Sequence, residues 1–276
     1  MPSLAPYILQ EEAMMYLLTP ASITDLINHL GSVNIARCAR EAGVKRYIMA
    51  SSCSIYGASD GTPLHENSTK NPVSLYAKSK IDAEHDILEL STDHFSVTFL
   101  RLATVFGGSF RMRFDLIVNI MTMYAMTKGK IMVLGGGKQW RPLVHVKDVA
   151  RAFETVIKAP LKKIQREAFN VGSSLQNYQV IQVANYVKQA IPGTEVLMIP
   201  DDPDKRNYNV NFEKINSILG YKTKFDVNHG IEEVRTGILD GMFDPEDIKT
   251  VTVKYYKYLI DADRILNEVK MEGGLF

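Results

Sequence analysis

Tyr76 and Lys80 stand four residues apart in SLYAKSK (74–80), the spacing that puts two side chains on one face of a helix, one turn from each other. A phenol, with an ordinary pKa of about 10, is a poor proton acceptor at neutral pH. An ammonium beside it favours the ionised form and brings it toward the range where it exchanges a proton with a hydroxyl. Ser52 ends the apolar run RYIMASS (46–52), and a hydroxyl at the carboxyl end of a sheet strand can hold an oxygen beside that phenol. A Tyr-x-x-x-Lys pair by itself also arises on ordinary surface helices. Context separates the two readings here: the pair opens a helix that follows a strand ending in two serines, and the loop between them is as long as a substrate-covering loop needs.

Those side chains need elements to position them. TDLINHLGSVNIARCAREA (24–42) carries Leu26, Ile27, Leu30, Val33, Ile35 and Ala36 at helical spacing and stops at Gly43. RYIMASS is short, apolar and β-prone, a buried strand that feeds a polar loop running to about residue 73. From Ser74 to about Leu90 the helical period returns, with Ile81, Ile87 and Leu88 on one side, and SVTFLRLATVFG (96–107) is strand-like throughout. Helix, strand, helix, strand with crossover-length connections predicts an α/β fold with a doubly wound parallel sheet, whose ligands collect at the carboxyl ends of the strands. Further on we expect a helix at 113–128, strands in KIMVL and PLVHV, a helix at 147–158, a strand in FNVG, a helix at 176–190 and a strand in EVLMIP. A division near residue 107 makes 1–107 part of a dinucleotide-binding unit and 108–276 mainly a smaller substrate-facing region. The closing segment 247–276 is amphipathic and reads either as a terminal helix or as a partner-dependent tail.

Composition narrows the partners. The 276 residues are 46% hydrophobic, enough for a sizeable core. Lysine plus arginine (32) nearly cancels aspartate plus glutamate (31), so no global field recruits nucleic acid or an anionic membrane surface. The apolar stretches MMYLL (14–18) and LIVNIMTMYAM (116–126) fall short of the roughly 20 residues that span a bilayer, and no basic region precedes an apolar one at the N-terminus. Cys38 and Cys53 are too sparse for a disulfide framework or a zinc site, so no metal is expected and a reducing cytoplasm is the default compartment.

SSCSIYG (51–57), ENSTKNPVSLYAKSKIDAE (66–84) and RLATVFG (101–107) together resemble the extended short-chain dehydrogenase/reductase family, in its NAD-dependent epimerase/dehydratase branch. GGGKQWRPLVHVKDVARA (135–152) is similar to that branch's substrate-region signature, and the resemblance runs from about Asn28 to Gly230. It implies an incomplete Rossmann-type sheet with a smaller C-terminal α/β substrate-binding region. By position, Tyr76 would be the acid/base, Lys80 would bind the nicotinamide ribose and tune Tyr76, Ser52 would be the hydroxyl partner, and Ala103 would lie beside the cofactor. Arg141 and Arg206 resemble the arginines that grip a nucleotide diphosphate. Thr104 occupies the place where many members have asparagine near the sugar diphosphate, and Asn28 matches an asparagine read as structural. The implied cofactor is NAD, with NADP as the alternative; the implied partners are a nucleotide sugar and, through helices at 24–42 and 76–92, a second copy of the chain.

The resemblance also exposes departures. Dehydratases of the family follow the serine with an Asp-Glu pair, because removing a C5 proton and expelling a hydroxyl needs a further acid and base. Cys53 and Ser54 stand there in this chain, so 4,6-dehydration is disfavoured, as is decarboxylation that relies on a glutamate at the second position. A redox-neutral epimerisation remains, an isomerase reaction. Reduction of a nucleotide-keto-sugar is the alternative enzyme reading, and a non-catalytic remnant that binds nucleotide sugar is the alternative of another class. Cys53 itself reads as a packed thiol. The family's Gly-x-x-Gly-x-x-Gly turn, whose amides approach the dinucleotide pyrophosphate, has no counterpart, and Gly135–Gly137 reads as a turn in the substrate region. What precedes Asn28 is too short for two strand–helix units of about 30 residues each. The chain as written is therefore expected to be N-terminally incomplete and to bind NAD weakly.

Overall fold

The computed structural model describes residues 21–59, 61–200, 206–271 and 274–275. Helix α1 (Ala21–Asp25) passes through a π-helical turn at Leu26–Leu30 into α2 (Gly31–Glu41), so the single helix read over 24–42 carries a wide turn at its start. Gly43, with φ of +75°, ends it in the left-handed conformation that glycine adopts without strain. Strand β1 (Arg46–Ser52) occupies RYIMASS, and α3 (Leu75–Glu89) is capped by Ser74, whose hydroxyl accepts the Ala77 N–H at 3.1 Å.

The run read as one strand over 96–107 is two. Strand β2 (Ser96–Leu102) ends one residue before Ala103, whose N–H still bonds Val171 O at 3.0 Å, and β3 (Thr104–Phe106) then turns to a different sheet. Helix α4 (Ile117–Lys128) begins later than 113, because Phe114 donates its N–H to Thr250 O at 2.8 Å and Asp115 is engaged by the Arg113 guanidinium. Strand β4 (Lys130–Leu134), β5 (Trp140–His145), α5 (Val146–Lys158) and β6 (Glu167–Val171) follow, close to their expected places. Residues 174–179 form a 3-10 turn and the short strand β7 (Asn177–Gln179), which delays α6 to Val180–Ala190; β8 is Glu195–Ile199. Two helices, α7 (Glu213–Leu219) and α8 (Val227–Leu239), lie where the sequence reading assigned nothing, and α9 (Thr252–Val269) makes the terminal segment a helix.

Strands β1, β2 and β6 form a parallel sheet in the order β1-β2-β6, with Ser52 opposite Leu102 and Leu102 opposite Val171. A second sheet pairs β3 parallel and β7 antiparallel to β5, and a third pairs β4 with β8 in parallel. This is the α/β, Rossmann-type parallel architecture that the alternation predicts. The chain returns after residue 107 to supply β6 to the first sheet. That sheet is covered on both sides, as parallel sheets are. Val33, Ala36, Ala83 and Ile87 from α2 and α3 close on Met49, Val97 and Phe99, while Ala152 and Val156 of α5 close on Leu100, Phe169 and Val171.

The loop after β1 is pinned where the chain turns back. Gly57 has φ of +66°, and a Cβ there would lie 1.7 Å from Asn71 O, so only glycine lets residues 57 and 71 pass. Gly135, Gly136 and Gly137 form a 3-10 turn between β4 and β5, all at positive φ. Among the described residues no helix is long and apolar enough to cross a membrane.

Candidate active site

Tyr76 and Lys80 do share one face of α3: Lys80 Nζ lies 5.6 Å from the centroid of the Tyr76 ring. The ammonium also donates to Ala50 O at 3.2 Å, which ties the start of α3 to β1 just short of Ser52. Burial lowers the Lys80 pKa, and the Glu84 carboxylate one turn further along the helix works against that shift. Ser52 caps the 3-10 turn Cys53–Tyr56, its Oγ accepting the Ser54 N–H at 3.1 Å. The structure thus groups Tyr76 and Lys80 by contact and puts Ser52 at the end of the strand that Lys80 grips.

Beneath these residues lies a buried polar network that the sequence reading missed. Arg101, next to the last residue of the apolar strand β2, makes a two-pronged contact with Glu84, Nε to Oε1 at 3.0 Å and Nη2 to Oε2 at 2.8 Å. Arg101 Nη1 donates to the Tyr56 hydroxyl at 3.1 Å and to Glu66 O at 2.8 Å, and the Tyr56 hydroxyl donates to Asn170 Oδ1 at 2.8 Å. Ser51 Oγ donates to Glu84 Oε1 at 2.6 Å, and Lys70 Nζ reaches Glu84 Oε2 at 3.1 Å. The Glu66 side chain accepts the Asn170 N–H at 2.8 Å. Burial pushes the Glu84 pKa upward, but Arg101, Lys70 and Ser51 outweigh it and hold the carboxyl below the usual range. The signal was available in part: a charged residue inside an apolar strand must find a partner once buried.

Cys53 is fully buried, and its thiol donates to Arg101 O at 3.1 Å. Burial raises its pKa far above the ordinary thiol value, with the Arg101 charge only partly opposing. It packs as the sequence reading expects. Ser54 Oγ beside it is buried with no hydrogen-bond partner among the described residues. Alkylation with iodoacetamide at mildly alkaline pH should therefore label only the exposed Cys38 in the native protein and both cysteines in urea. Mass spectrometry reads the result, and native labelling of Cys53 would contradict this account of the thiol.

Arg141 sits near the start of β5, largely buried, and its Nη1 donates to Trp140 O at 3.0 Å and to the Arg206 carbonyl. The two arginines are thus neighbours. A strap at 206–211 joins them to the loop after Gly57: Trp140 N bonds Asn207 Oδ1 at 2.9 Å, Ser59 N bonds Asn207 O at 2.9 Å, and Leu64 N bonds Asn209 O at 2.8 Å. Thr104 opens β3 opposite Leu143, and Ala103 is buried at the crossing between β2 and β3. Asn28 lies in the π-helical turn and donates to Thr24 O at 3.1 Å, a bond internal to the helix.

The residues present fit one half of a dinucleotide site. A partly buried ammonium beside a phenol, held to the end of β1, suits a ribose and the reacting ring, and no Gly-x-x-Gly-x-x-Gly turn occurs in residues 1–276.

Comparisons with known proteins bear on the family and the fold. Residues 16–172 match the family model described as NAD dependent epimerase/dehydratase family. UDP-glucose 4-epimerase of Streptococcus mutans is 26% identical over 217 residues, covering 72% of this chain and 65% of that protein. dTDP-D-glucose 4,6-dehydratase of Mus musculus is 29% identical over 217 residues, covering 75% of this chain and 59% of that protein. The chain thus spans less than two thirds of the length of these relatives. Among solved structures, dTDP-glucose 4,6-dehydratase DesIV from Streptomyces venezuelae, with NAD and TYD bound, superposes with a TM-score of 0.73 at 21% identity, covering 87% of this chain and 72% of that one. MoeE5 in complex with UDP-glucuronic acid and NAD gives 0.68 at 24% identity, covering 78% and 71%. Both structural likenesses speak for the fold. Since the family match takes in more than half of the chain, including the elements that carry Ser52, Tyr76 and Lys80, the chain belongs to the NAD-dependent epimerase/dehydratase family.

Proposed function

We propose that this chain carries the hydride-transfer centre of an NAD-dependent nucleotide-sugar epimerase, with Ser52, Tyr76 and Lys80 as its working residues. The observation that supports this most is the Lys80 ammonium, half-withdrawn from water, fixed on β1 and set beside the Tyr76 ring. NAD, when bound, would accept a hydride from the sugar and return it. Tyr76 then takes the proton of the sugar hydroxyl as its carbon is oxidised and gives it back on reduction, while Lys80 compensates the phenolate charge. Ser52 holds the reacting oxygen, and Arg141 and Arg206 hold the diphosphate, so the sugar can present its other face without leaving. At the two positions after Ser52 stand a thiol turned into the core and a hydroxyl, neither suited to expelling water. In the same reading residues 1–107 are part of the dinucleotide-binding unit and 108–276 are mainly substrate-facing. Exposed Leu26, Ile27 and Ile35 supply an apolar face for a homodimer through α1, α2 and α3.

A panel of UDP- and dTDP-sugars offered to the protein with NAD tests the reading by product mass and NMR. Epimerisation leaves the mass unchanged and inverts one carbon. Loss of one water would overturn the reading of Cys53 and Ser54, and a gain of two hydrogens with supplied reductant would favour the reductase. Binding without any conversion would favour the non-catalytic alternative.

A further inference from the structure

Helix α9 carries none of the proposed site residues, and its apolar face is exposed. Tyr258, Leu259, Ile265, Leu266 and Val269 are 55%, 41%, 54%, 40% and 38% exposed, and the helix packs mainly on the 3-10 turn at Ile248–Thr250 that precedes it. Such a face on a surface helix marks an interaction surface. Its spacing is that of a helix–helix seam. Val251, Tyr255, Tyr258, Ala262, Ile265 and Val269 recur at alternating intervals of four and three, with Leu259 and Leu266 along one flank and Lys254, Asp261 and Glu268 along the other.

We propose that α9 pairs antiparallel with α9 of a second copy of this chain. The stripe is complementary to itself in that direction. With Tyr258 set over Ala262 of the second copy, Tyr255 meets Ile265 and Val269 meets Val251, while Leu259 on the flank meets its own copy across the axis. The same register puts Lys254 opposite Glu268, and the twofold axis makes every one of these contacts twice. A parallel pair would instead set Tyr258 on Tyr258 and lay Lys254 and Asp261 against leucines, with no ion pair gained. Asp261 meets its own copy at the axis, a like-charge contact that keeps the association weak and reversible.

Zero-length carbodiimide cross-linking of the full chain, mixed from isotopically light and heavy protein, tests the pairing. Within one helix Lys254 and Glu268 are about 21 Å apart, beyond the reach of a direct amide bond. A mixed-label peptide joining Lys254 to Glu268 is therefore expected only from an antiparallel pair. Lys254→Glu or Glu268→Lys alone should weaken association about three- to tenfold in sedimentation equilibrium, and the double exchange should restore it. Asp261→Asn should strengthen it. Cross-links of these residues confined to single chains, including any to residues 1–20, or a dimer indifferent to both charge exchanges, would overturn the proposal.

Discussion

Replacing Tyr76 by Phe should lower nucleotide-sugar turnover by about 100- to 10,000-fold, the range expected when a positioned acid/base is deleted from a proton transfer. The substitution removes one hydroxyl and little else. The ring remains, so the Lys80 ammonium keeps its partner at 5.6 Å, and Lys80 keeps its bond to Ala50 O. The start of α3 is held independently by the Ser74 cap and by buried Ala77. The loss should therefore appear in kcat, with the affinity for nucleotide sugar, measured by calorimetry, close to that of the parent. Arg141 and Arg206, the proposed diphosphate grip, lie on β5 and the 206–211 strap and are untouched. Lys80→Met should cost turnover as well, since the phenolate would lose its compensating charge. Unchanged turnover in Tyr76→Phe would move the proton transfer to another group and end the proposed mechanism.

The pair at the centre of this prediction was legible because its geometry is local. Four residues along a helix bring two side chains together whatever the rest of the chain does. The same holds for β1, an apolar run bounded by Gly43 and a polar loop. Partner choice is different. The residues of 96–107 announce strand, but nothing in their alternation says that Leu102 pairs with Val171 while Thr104 pairs with Leu143. Helices α7 and α8 follow the aspartate-rich residues 201–204, past which no element was assigned before the closing segment, although Val227, Ile231, Val234 and Ile238 recur at the helical intervals of four, three and four. The network under the site was hidden for the same reason as the strand partners. Tyr56 finds Asn170 across 114 positions and Glu66 finds Asn170 across 104, separations at which sequence spacing carries no information. Arg101 was the visible clue, a charge where the pattern called for an apolar side chain.

Removing that charge should be costly. Arg101→Leu is expected to destabilise the protein by about 3–5 kcal/mol, because Glu84 would stay buried with Lys70 as its remaining cation. Glu84→Gln is the sharper probe, since it preserves shape while removing the charge, and its effect should depend on pH in a defined direction. Burial opposes ionisation of Glu84, but Arg101, Lys70 and Ser51 more than offset it, so its folded pKa lies below the unfolded value. A carboxyl of this kind contributes stability that is fully present above about pH 4.5, the ordinary glutamate value, and is lost as pH falls through the lower folded pKa. Urea denaturation should therefore find the parent well above Glu84→Gln at neutral pH and the two converging as the solution is acidified. A gap that stays constant on acidification would mean that the Glu84 charge is not what Arg101 responds to. The consequence reaches the site, because Glu84 also receives the Ser51 hydroxyl next to Ser52 and follows Lys80 by one turn of α3. Loosening it frees the end of β1 and the helix face that holds the phenol, so turnover in Glu84→Gln should fall even at a pH where the protein remains folded.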